Sequence, residues 1–173
     1  MIGCVVSKRS VFPVLLALGS CIGVSSAADA VGPAKKTSLV TIPAQMEIGA
    51  TPERVWSLAT SFKGFGALTG FKIADGEGSF TRLGQVVEAR VWEDEGLLVV
   101  TGFDLGKELR VTWEPKNGNY LCAKRIVLSA SGDGTLLEYW DRYTDDQPNA
   151  DETAKQVREE TVKAVAVFES LAK

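Results

Sequence analysis

The sequence of 173 residues contains no histidine. Histidine is the side chain most often used as a general acid or base near neutral pH, and it is also the commonest metal ligand. Metal-ligand clusters, phosphate-binding loops and nucleotide fingerprints are missing as well. We therefore predict that the chain uses no metal and no cofactor, and we assign no catalytic residue.

Basic residues are also fewer than acidic ones. The chain has 19 Lys and Arg against 22 Asp and Glu, a net charge of −3, and the basic residues form no block. Nucleic-acid-binding domains normally carry a basic patch or stripe, so nucleic acid is excluded as a partner. The apolar share of 45% is that of an ordinary globular domain with a substantial core.

The N-terminal 30 residues differ from the rest of the chain. Two basic residues precede an apolar run over residues 11–24, and small residues follow, ending in Ala28-Asp29-Ala30. This is the pattern of a secretory signal peptide with an A-x-A cleavage site. The apolar run is too short to span a membrane. We predict a signal peptide at residues 1–30, a single domain at residues 38–173, and a periplasmic or secreted location.

The chain has three cysteines, and two of them lie in the predicted signal peptide. Leu18-Gly19-Ser20-Cys21 also resembles a lipoprotein box, in which Cys21 would be acylated, and this remains an alternative to cleavage after Ala30. Cleavage after Ala30 would remove Cys4 and Cys21. Only Cys122 would then remain, so no internal disulfide could form. We predict that Cys122 is a buried, small apolar side chain rather than a reactive thiol.

Residues 84–143 are typical of five strands joined by four tight turns. The turns are marked by Asp94-Glu95-Gly96, Leu105-Gly106, Asn117-Gly118 and Gly132-Asp133-Gly134, each between runs rich in Val, Leu, Thr and aromatic residues. Antiparallel pairing across these turns predicts which residues face each other: Val91 with Leu98, Val100 with Val111, Trp113 with Cys122, Ile126 with Tyr139, and Leu128 with Leu137.

Alternation along these strands predicts one apolar face and one mixed face, and a slip by one residue would scramble the division. The apolar face collects Gln85, Val87, Ala89, Val91, Leu98, Val100, Leu109, Val111, Trp113, Cys122, Ile126, Leu128, Leu137, Tyr139 and Tyr143. The opposite face mixes charged and apolar side chains, among them Trp92, Leu97, Val99, Phe103, Leu121 and Trp140 beside Arg90, Arg110 and Arg125.

Lys124 and Asp141 break the apolar rule on the inside face, where they fall directly opposite one another. One interpretation is a cross-strand ion pair at a wet rim, contributing less than about 1 kcal/mol. The other is that the sheet encloses a cavity holding water or a polar ligand group, which tolerates the two charges. Both interpretations remain open from the sequence.

The segments on either side complete the fold. Ser38–Ile48 alternates as a strand, in which Pro43 indicates an edge position or a bulge. Thr51-Pro52-Glu53 is a helix start. Residues 61–70 predict a second short helix and a mobile loop, acting as a lid over a portal or as a plug over the core. Residues 71–75 form a short strand.

The last helix begins after a polar linker, with Asn149 or Asp151 as its cap, and runs to about Leu171 with one buried face. We predict an α+β fold in which a seven-stranded, curved antiparallel sheet wraps around this long C-terminal helix, with two short helices after the first strand. Because one helix cannot fill the concave side of such a sheet completely, we expect a cavity between them.

Several of these segments resemble the START-related SRPBCC superfamily (polyketide cyclase/dehydrase-like) and its helix-grip fold, over residues 38–172. They are Ile48-Gly49-Ala50 with the helix start Thr51-Pro52-Glu53-Arg54-Val55-Trp56, residues 82–88, the Gly132-Asp133-Gly134-Thr135 turn, and the terminal helix. The resemblance implies a hydrophobic pocket used for lipids, sterols, polyketides or plant hormones, sometimes with cyclase or aromatase chemistry. Exported single-domain members of the MxaD type match the layout best. Where a tryptophan often follows the first helix pair, this chain has Phe65-Gly66-Ala67-Leu68.

Our first functional hypothesis is an exported protein that binds or carries a small hydrophobic or amphipathic ligand. We expect the pocket to be lined by Val111, Trp113, Tyr139, Tyr143 and Phe168, with Lys124 and Asp141 meeting a polar head group. As an alternative, an MxaD-like accessory protein would use the outer tryptophans and arginines to bind a periplasmic redox enzyme.

The remaining alternative is a cyclase or aromatase-type enzyme, which would need Asp141, Glu88, Lys124 or a tyrosine as acid or base. Glu88 falls on the outer face, and no second inward carboxylate lies near Asp141. We therefore favour binding over catalysis.

Overall fold

The computed structural model describes residues 38–118, 120–145 and 150–172; the predicted signal peptide and Asn149 lie outside them. These residues form seven strands and three helices in the order β1 (Ser38–Ile48), α1 (Pro52–Thr60), α2 (Phe62–Thr69), β2 (Lys72–Ile73), β3 (Val86–Val91), β4 (Asp94–Asp104), β5 (Glu108–Pro115), β6 (Cys122–Ser131), β7 (Gly134–Asp145) and α3 (Ala150–Ala172). None of the three described helices is both long and apolar enough to cross a membrane.

All seven strands belong to one curved antiparallel sheet with the order β1-β7-β6-β5-β4-β3-β2. The predicted α+β helix-grip architecture is confirmed. β1 pairs with β7 alone and is therefore an edge strand, which confirms the interpretation of Pro43. A proline at an edge removes no hydrogen bond that a neighbouring strand needs.

Most of the predicted register is also confirmed. The structure pairs Val100 with Val111, Trp113 with Cys122, Ile126 with Tyr139, and Leu128 with Leu137. Glycines with positive φ occupy the turns, including Gly118 (66°) and Gly132 (54°). They adopt this left-handed conformation without the steric cost of a Cβ atom.

The predicted pairing of Val91 with Leu98 is wrong. Val91 pairs with Asp94, and Leu98 pairs with Val87. The turn lies two residues earlier in the chain than predicted, at Trp92 and Glu93, and Trp92 itself adopts a φ of 49°. Both registers place Val87, Val91 and Leu98 on the same face, because they differ by an even number of residues.

A β-bulge corrects a second prediction. The pairing of β4 with β5 shifts between Val100 and Gly102, so that Phe103 lies opposite Leu109. Because the extra residue reverses the alternation, Phe103 leaves the outer face on which it was predicted. It packs half-buried against the core, with its ring edge-on to Trp56 at a centroid distance of 5.5 Å.

The two short helices form a tight corner. Thr51 caps α1 by accepting a hydrogen bond from the Arg54 backbone N–H at 3.4 Å, with Pro52 in the first turn, as predicted. Ser61 then caps α2 by accepting from the Gly64 N–H at 3.0 Å. A Cβ atom on Gly64 would lie 2.0 Å from the Leu58 carbonyl oxygen, so the approach of the two helices requires glycine here.

α3 buries one stripe and exposes the other, as the helical periodicity predicts. Ala154, Val157, Thr161 and Phe168 are buried, whereas Val162 on the opposite side is 70% exposed. Contacts with α2 and β1 hold α3 against the rest of the domain. The inner face of the sheet and the buried stripe of α3 therefore share one core.

Candidate binding cavity

A cavity of about 390 Å³ lies between the inner face of the sheet and the first half of α3, with the end of α2 at its border. Its size is within the usual range for small-molecule sites. The side chains that line it are mainly apolar or aromatic, and the lining consists of Ala67, Leu68, Thr69, Gly70, Phe71, Val91, Trp92, Trp113, Tyr120, Cys122, Lys124, Tyr139, Asp141, Tyr143, Thr144, Thr153, Val157, Glu160, Thr161 and Ala164.

The structure brings most of the predicted ligand-binding residues together here. Trp113, Lys124, Tyr139, Asp141 and Tyr143 all line the cavity. They come from β5, β6 and β7, three neighbouring strands, and each lies on the inward face. Whether these residues contact a ligand remains a prediction.

Val111 and Phe168 do not line the cavity. Both are fully buried in the hydrophobic core, Val111 on β5 and Phe168 in the second half of α3. α3 borders the cavity with residues between Thr153 and Ala164, and Phe168 lies one turn further along. Alternation and helical spacing predicted that the two residues point inwards, but these patterns do not show whether neighbouring side chains cover them.

The polar part of the cavity wall is the Lys124–Asp141 pair. The two side chains face each other across β6 and β7 and form an ion pair between Nζ and Oδ2, with only 8% and 6% of their surfaces exposed. The Cys122 thiol donates a hydrogen bond to Asp141 Oδ1 at 3.7 Å. The pair lies inside the protein rather than at a wet rim, which favours the second of the two interpretations that the sequence left open.

Lys124 keeps its positive charge in this environment. Burial by itself disfavours the ammonium form, but interactions with Tyr139, Cys122 and Asp141 raise the pKa of Lys124 above its ordinary value. Burial raises the pKa of Cys122 to about 11 and also raises the pKa of Tyr139. Lys124, Cys122 and Tyr139 therefore all carry their protons at pH 7.

Aromatic rings line the cavity next to the ion pair. Phe71 packs against Trp113 with ring centroids 4.9 Å apart, and Lys124 Nζ lies 5.7 Å from the Phe71 centroid. Trp113 Nε1 donates to the Tyr120 hydroxyl at 3.1 Å, which donates to Asp94 Oδ2 at 3.0 Å. Burial, followed by the hydrogen bond to Asp94, raises the pKa of Tyr120 to about 12 against the opposing effect of Trp113. The ring positions are thus held by hydrogen bonds at their polar ends.

Phe71 and Tyr120 were not among the predicted ligand-binding residues. Phe71 directly follows residues 61–70, which the sequence had marked as a lid or plug, so its position gave a usable signal. Tyr120 lies in the connection between β5 and β6, outside the alternating pattern. Nothing in the sequence indicates that this connection folds back over Trp113.

Residues 61–70, the segment predicted as a lid or a plug, contribute both to the core and to the cavity wall. Phe62, Phe65 and Leu68 are buried in the core, where the Phe65 and Phe80 rings meet edge-on at 4.9 Å. Residues 67–70, at the end of α2, border the cavity. One side of α2 closes the core and its C-terminal end forms part of the cavity wall.

Trp92 lies at the mouth of the cavity, although the sequence placed it on the outer face. It is 61% exposed and occupies the turn between β3 and β4 with positive φ. A bulky residue in this conformation is unusual and is often found at functional sites. With exposed Glu160 on α3, Trp92 marks where the cavity meets solvent.

The outer face carries a compact charge cluster. Glu108 pairs with Arg110 and with Arg125, whose Nε lies 2.7 Å from Glu108 Oε1. Hydrogen bonds from Arg110 and then Arg125 lower the pKa of Glu108 to about 2. The Arg125 guanidinium also lies 4.8 Å from the centre of the Trp140 ring. These side chains are therefore satisfied within the chain.

The described residues show no group of three or more Cys, Asp or Glu side chains placed to hold a metal ion. Among the described lining residues, Asp141 and Cys122 are the buried acidic and sulfur groups, and Asp141 is engaged with Lys124.

No family model matches this chain, and no curated protein matches it. Solved structures do. Protein CV1439 from Chromobacterium violaceum is 15% identical, with a TM-score of 0.59 over 76% of this chain and 96% of that one. CalU16 from Micromonospora echinospora is 16% identical, with a TM-score of 0.55 over 82% and 85%. Ara h 8.0201 is 13% identical, with a TM-score of 0.57 over 78% and 98%.

At these identities the likeness concerns the fold alone. The sheet, the two short helices and the long C-terminal helix, together with these structural neighbours, define a helix-grip fold. The resemblance inferred from the sequence is confirmed at this level, and the likeness to MxaD is not shown.

Proposed function

We propose that this protein is an exported carrier that binds a small hydrophobic or amphipathic molecule in the cavity between the sheet and α3. The observation that supports it best is the buried Lys124–Asp141 pair, which lines a space of about 390 Å³ whose walls are otherwise mainly apolar and aromatic. A buried ion pair stabilises a fold less well than apolar residues of the same volume in many proteins. Its position on the wall of a cavity suits recognition of a polar group.

Catalysis has less support, although the fold is compatible with cyclase-type chemistry. Lys124, Tyr139 and Cys122 have raised pKa values and stay protonated near neutral pH, so none is a general base or an activated nucleophile there. Among the described lining residues, Asp141 is the buried carboxylate, and it is already paired with the Lys124 ammonium. The arrangement holds a polar group more readily than it moves a proton.

The outer face gives little support to a role as an interaction partner of a redox enzyme. Arg125 lies over the Trp140 ring and pairs with Glu108, which also holds Arg110. Trp92 belongs to the cavity mouth. The two tryptophans and two of the arginines that suggested a docking surface thus have explanations within the chain, whereas Leu121 is 60% exposed.

The binding proposal is tested with N-phenyl-1-naphthylamine, a neutral dye whose fluorescence rises in apolar surroundings. We expect the dye to bind with micromolar affinity. Ala164→Trp, which places an indole in the cavity, should weaken binding about tenfold or more, a loss of about 1.4 kcal/mol. Val162→Trp is the matched control, because Val162 lies on the exposed side of the same helix. An unbound dye, or equal binding to both variants, contradicts the proposal.

Export is tested by expressing the full chain in a Gram-negative host and measuring the intact mass of the periplasmic protein. We expect a chain that begins after Ala30, and accumulation of uncleaved precursor when Ala28 is replaced by Lys. A lipid-modified protein that starts at Cys21 would instead establish the lipoprotein alternative. A chain that stays full length in the cytoplasm would contradict export.

A further inference from the structure

The charges that line the cavity are unequal in number. Among the residues that the structure describes, the lining contains one cation, Lys124, and two anions, Asp141 and Glu160. Lys124 and Asp141 are in direct contact and buried, whereas Glu160 is exposed at the rim. The single cation is therefore already neutralised before any ligand arrives, and the approach from solvent passes a negative charge.

An anionic ligand would meet an unfavourable environment here. A carboxylate could bind Lys124 only by sharing it with Asp141 or by displacing Asp141. Sharing brings two anions to one cation, and displacement leaves the buried Asp141 carboxylate without its counter-ion. Each outcome is costly where water is excluded, because an uncompensated charge loses its hydration.

A neutral polar group meets complementary partners. The Lys124 ammonium has three N–H donors, and the Asp141 carboxylate has two oxygen atoms with several lone pairs. A ligand hydroxyl can accept from Lys124 and donate to Asp141, and a carbonyl oxygen can accept from Lys124, with the ion pair left intact. Such hydrogen bonds to charged groups are stronger than those between neutral groups.

We infer that the cavity selects neutral amphiphiles that carry a hydroxyl or carbonyl group and rejects ligands that carry a carboxylate, such as fatty acids. This inference rests on the proposed binding function and adds the charge class of the ligand. The apolar part of the ligand lies among the rings of Phe71, Trp113 and Tyr139. The volume of about 390 Å³ limits the ligand to a medium-sized molecule.

The test compares 1-decanol with decanoate, which share a ten-carbon chain and differ in the charge of the head group. Each is titrated at pH 7.5 against the wild-type protein loaded with N-phenyl-1-naphthylamine. We expect 1-decanol to displace the dye at a concentration about tenfold or more below that of decanoate. Equal displacement, stronger displacement by decanoate, or no displacement by 1-decanol overturns the inference. If the dye itself does not bind, the proposed function is wrong and the charge preference falls with it.

Asp141→Asn provides an independent readout, because it removes the anion and leaves Lys124 as an unpaired cation. We expect the preference to shift towards decanoate by about tenfold or more relative to wild type. Asp104→Asn changes the net charge equally at an exposed position and should leave the preference unchanged. An unchanged preference in folded Asp141→Asn contradicts the inference, and if that variant does not fold, the wild-type comparison decides.

Discussion

Lys124 and Asp141 form a cross-strand pair whose importance depends on burial. At a wet rim, the pair would contribute little to stability. Inside the protein, each charge has lost most of its hydration and depends on the other. Removing one partner is therefore far more harmful than removing both, and this asymmetry is measurable.

We predict that Asp141→Ala lowers the free energy of unfolding by about 3 to 5 kcal/mol, because it leaves the Lys124 ammonium buried without a counter-ion. The double variant Lys124→Met with Asp141→Leu should recover most of this loss, since no unpaired charge remains. Urea unfolding followed by tryptophan fluorescence measures both. A double variant as unstable as the single variant would show that the site needs the charges themselves rather than their mutual compensation.

The α1–α2 corner shows what the contact between two elements requires. Gly64 approaches the Leu58 carbonyl so closely that no Cβ atom fits between the helices. α2 packs on α3 and borders the cavity, so the position of the cavity wall depends on this corner. A substitution at Gly64 should therefore alter the cavity wall as well as the contact between the two helices.

We expect Gly64→Ala to lower the free energy of unfolding by about 1 to 3 kcal/mol, the usual result of forcing a methyl group into a closely packed contact. Dye binding should weaken as well, because α2 must shift. Gly49→Ala is the control: an added Cβ atom at Gly49 meets nothing within 4 Å, and its effect should stay within about 0.5 kcal/mol. Thermal unfolding of the two variants side by side gives the comparison, and equal melting temperatures would refute the steric argument.

The stability of the whole molecule should fall at alkaline pH. Burial is the main cause that raises the pKa of Cys122 from 9.0 to about 11, so the unfolded chain releases this proton at lower pH than the folded protein. Its contribution is therefore complete below about pH 9 and is lost as the pH rises towards 11. The raised pKa values of Tyr139 and Lys124 act in the same direction from about pH 10 upwards.

Between pH 8 and pH 11, we expect the free energy of unfolding of wild type to fall by about 2 kcal/mol through Cys122, because most of the difference of about two pKa units, at 1.36 kcal/mol each, has taken effect by pH 11. Cys122→Ala should be somewhat less stable at pH 7, because it leaves a small void, but its stability should fall less steeply over this range. Urea denaturation at a series of pH values yields both slopes. Parallel slopes would show that another group controls the alkaline loss.

The order of the elements, the antiparallel meander and its inward and outward faces could be predicted from the sequence, because alternation and turn chemistry are local. Val100, Trp113, Ile126 and Leu128 have the partners that the turns imply. The turn at Trp92 could not be predicted, because tryptophan seldom adopts a positive φ. The bulge before Phe103 could not be predicted either, because the alternation of side chains does not signal an extra residue in one strand. The wrong position of the turn did not change the predicted faces of β3.

The sequence by itself determined which side chains of β5, β6 and β7 point inwards, and with them the opposition of Lys124 and Asp141, because a strand alternates its side chains with a period of two. The tertiary structure decided which inward side chains meet empty space. Tyr120 and Phe71 reach the cavity from connections between elements, whereas inward-facing Val111 and Phe168 are covered by their neighbours. A void is the space that distant segments leave between them when they pack, so no local pattern in the chain encodes it.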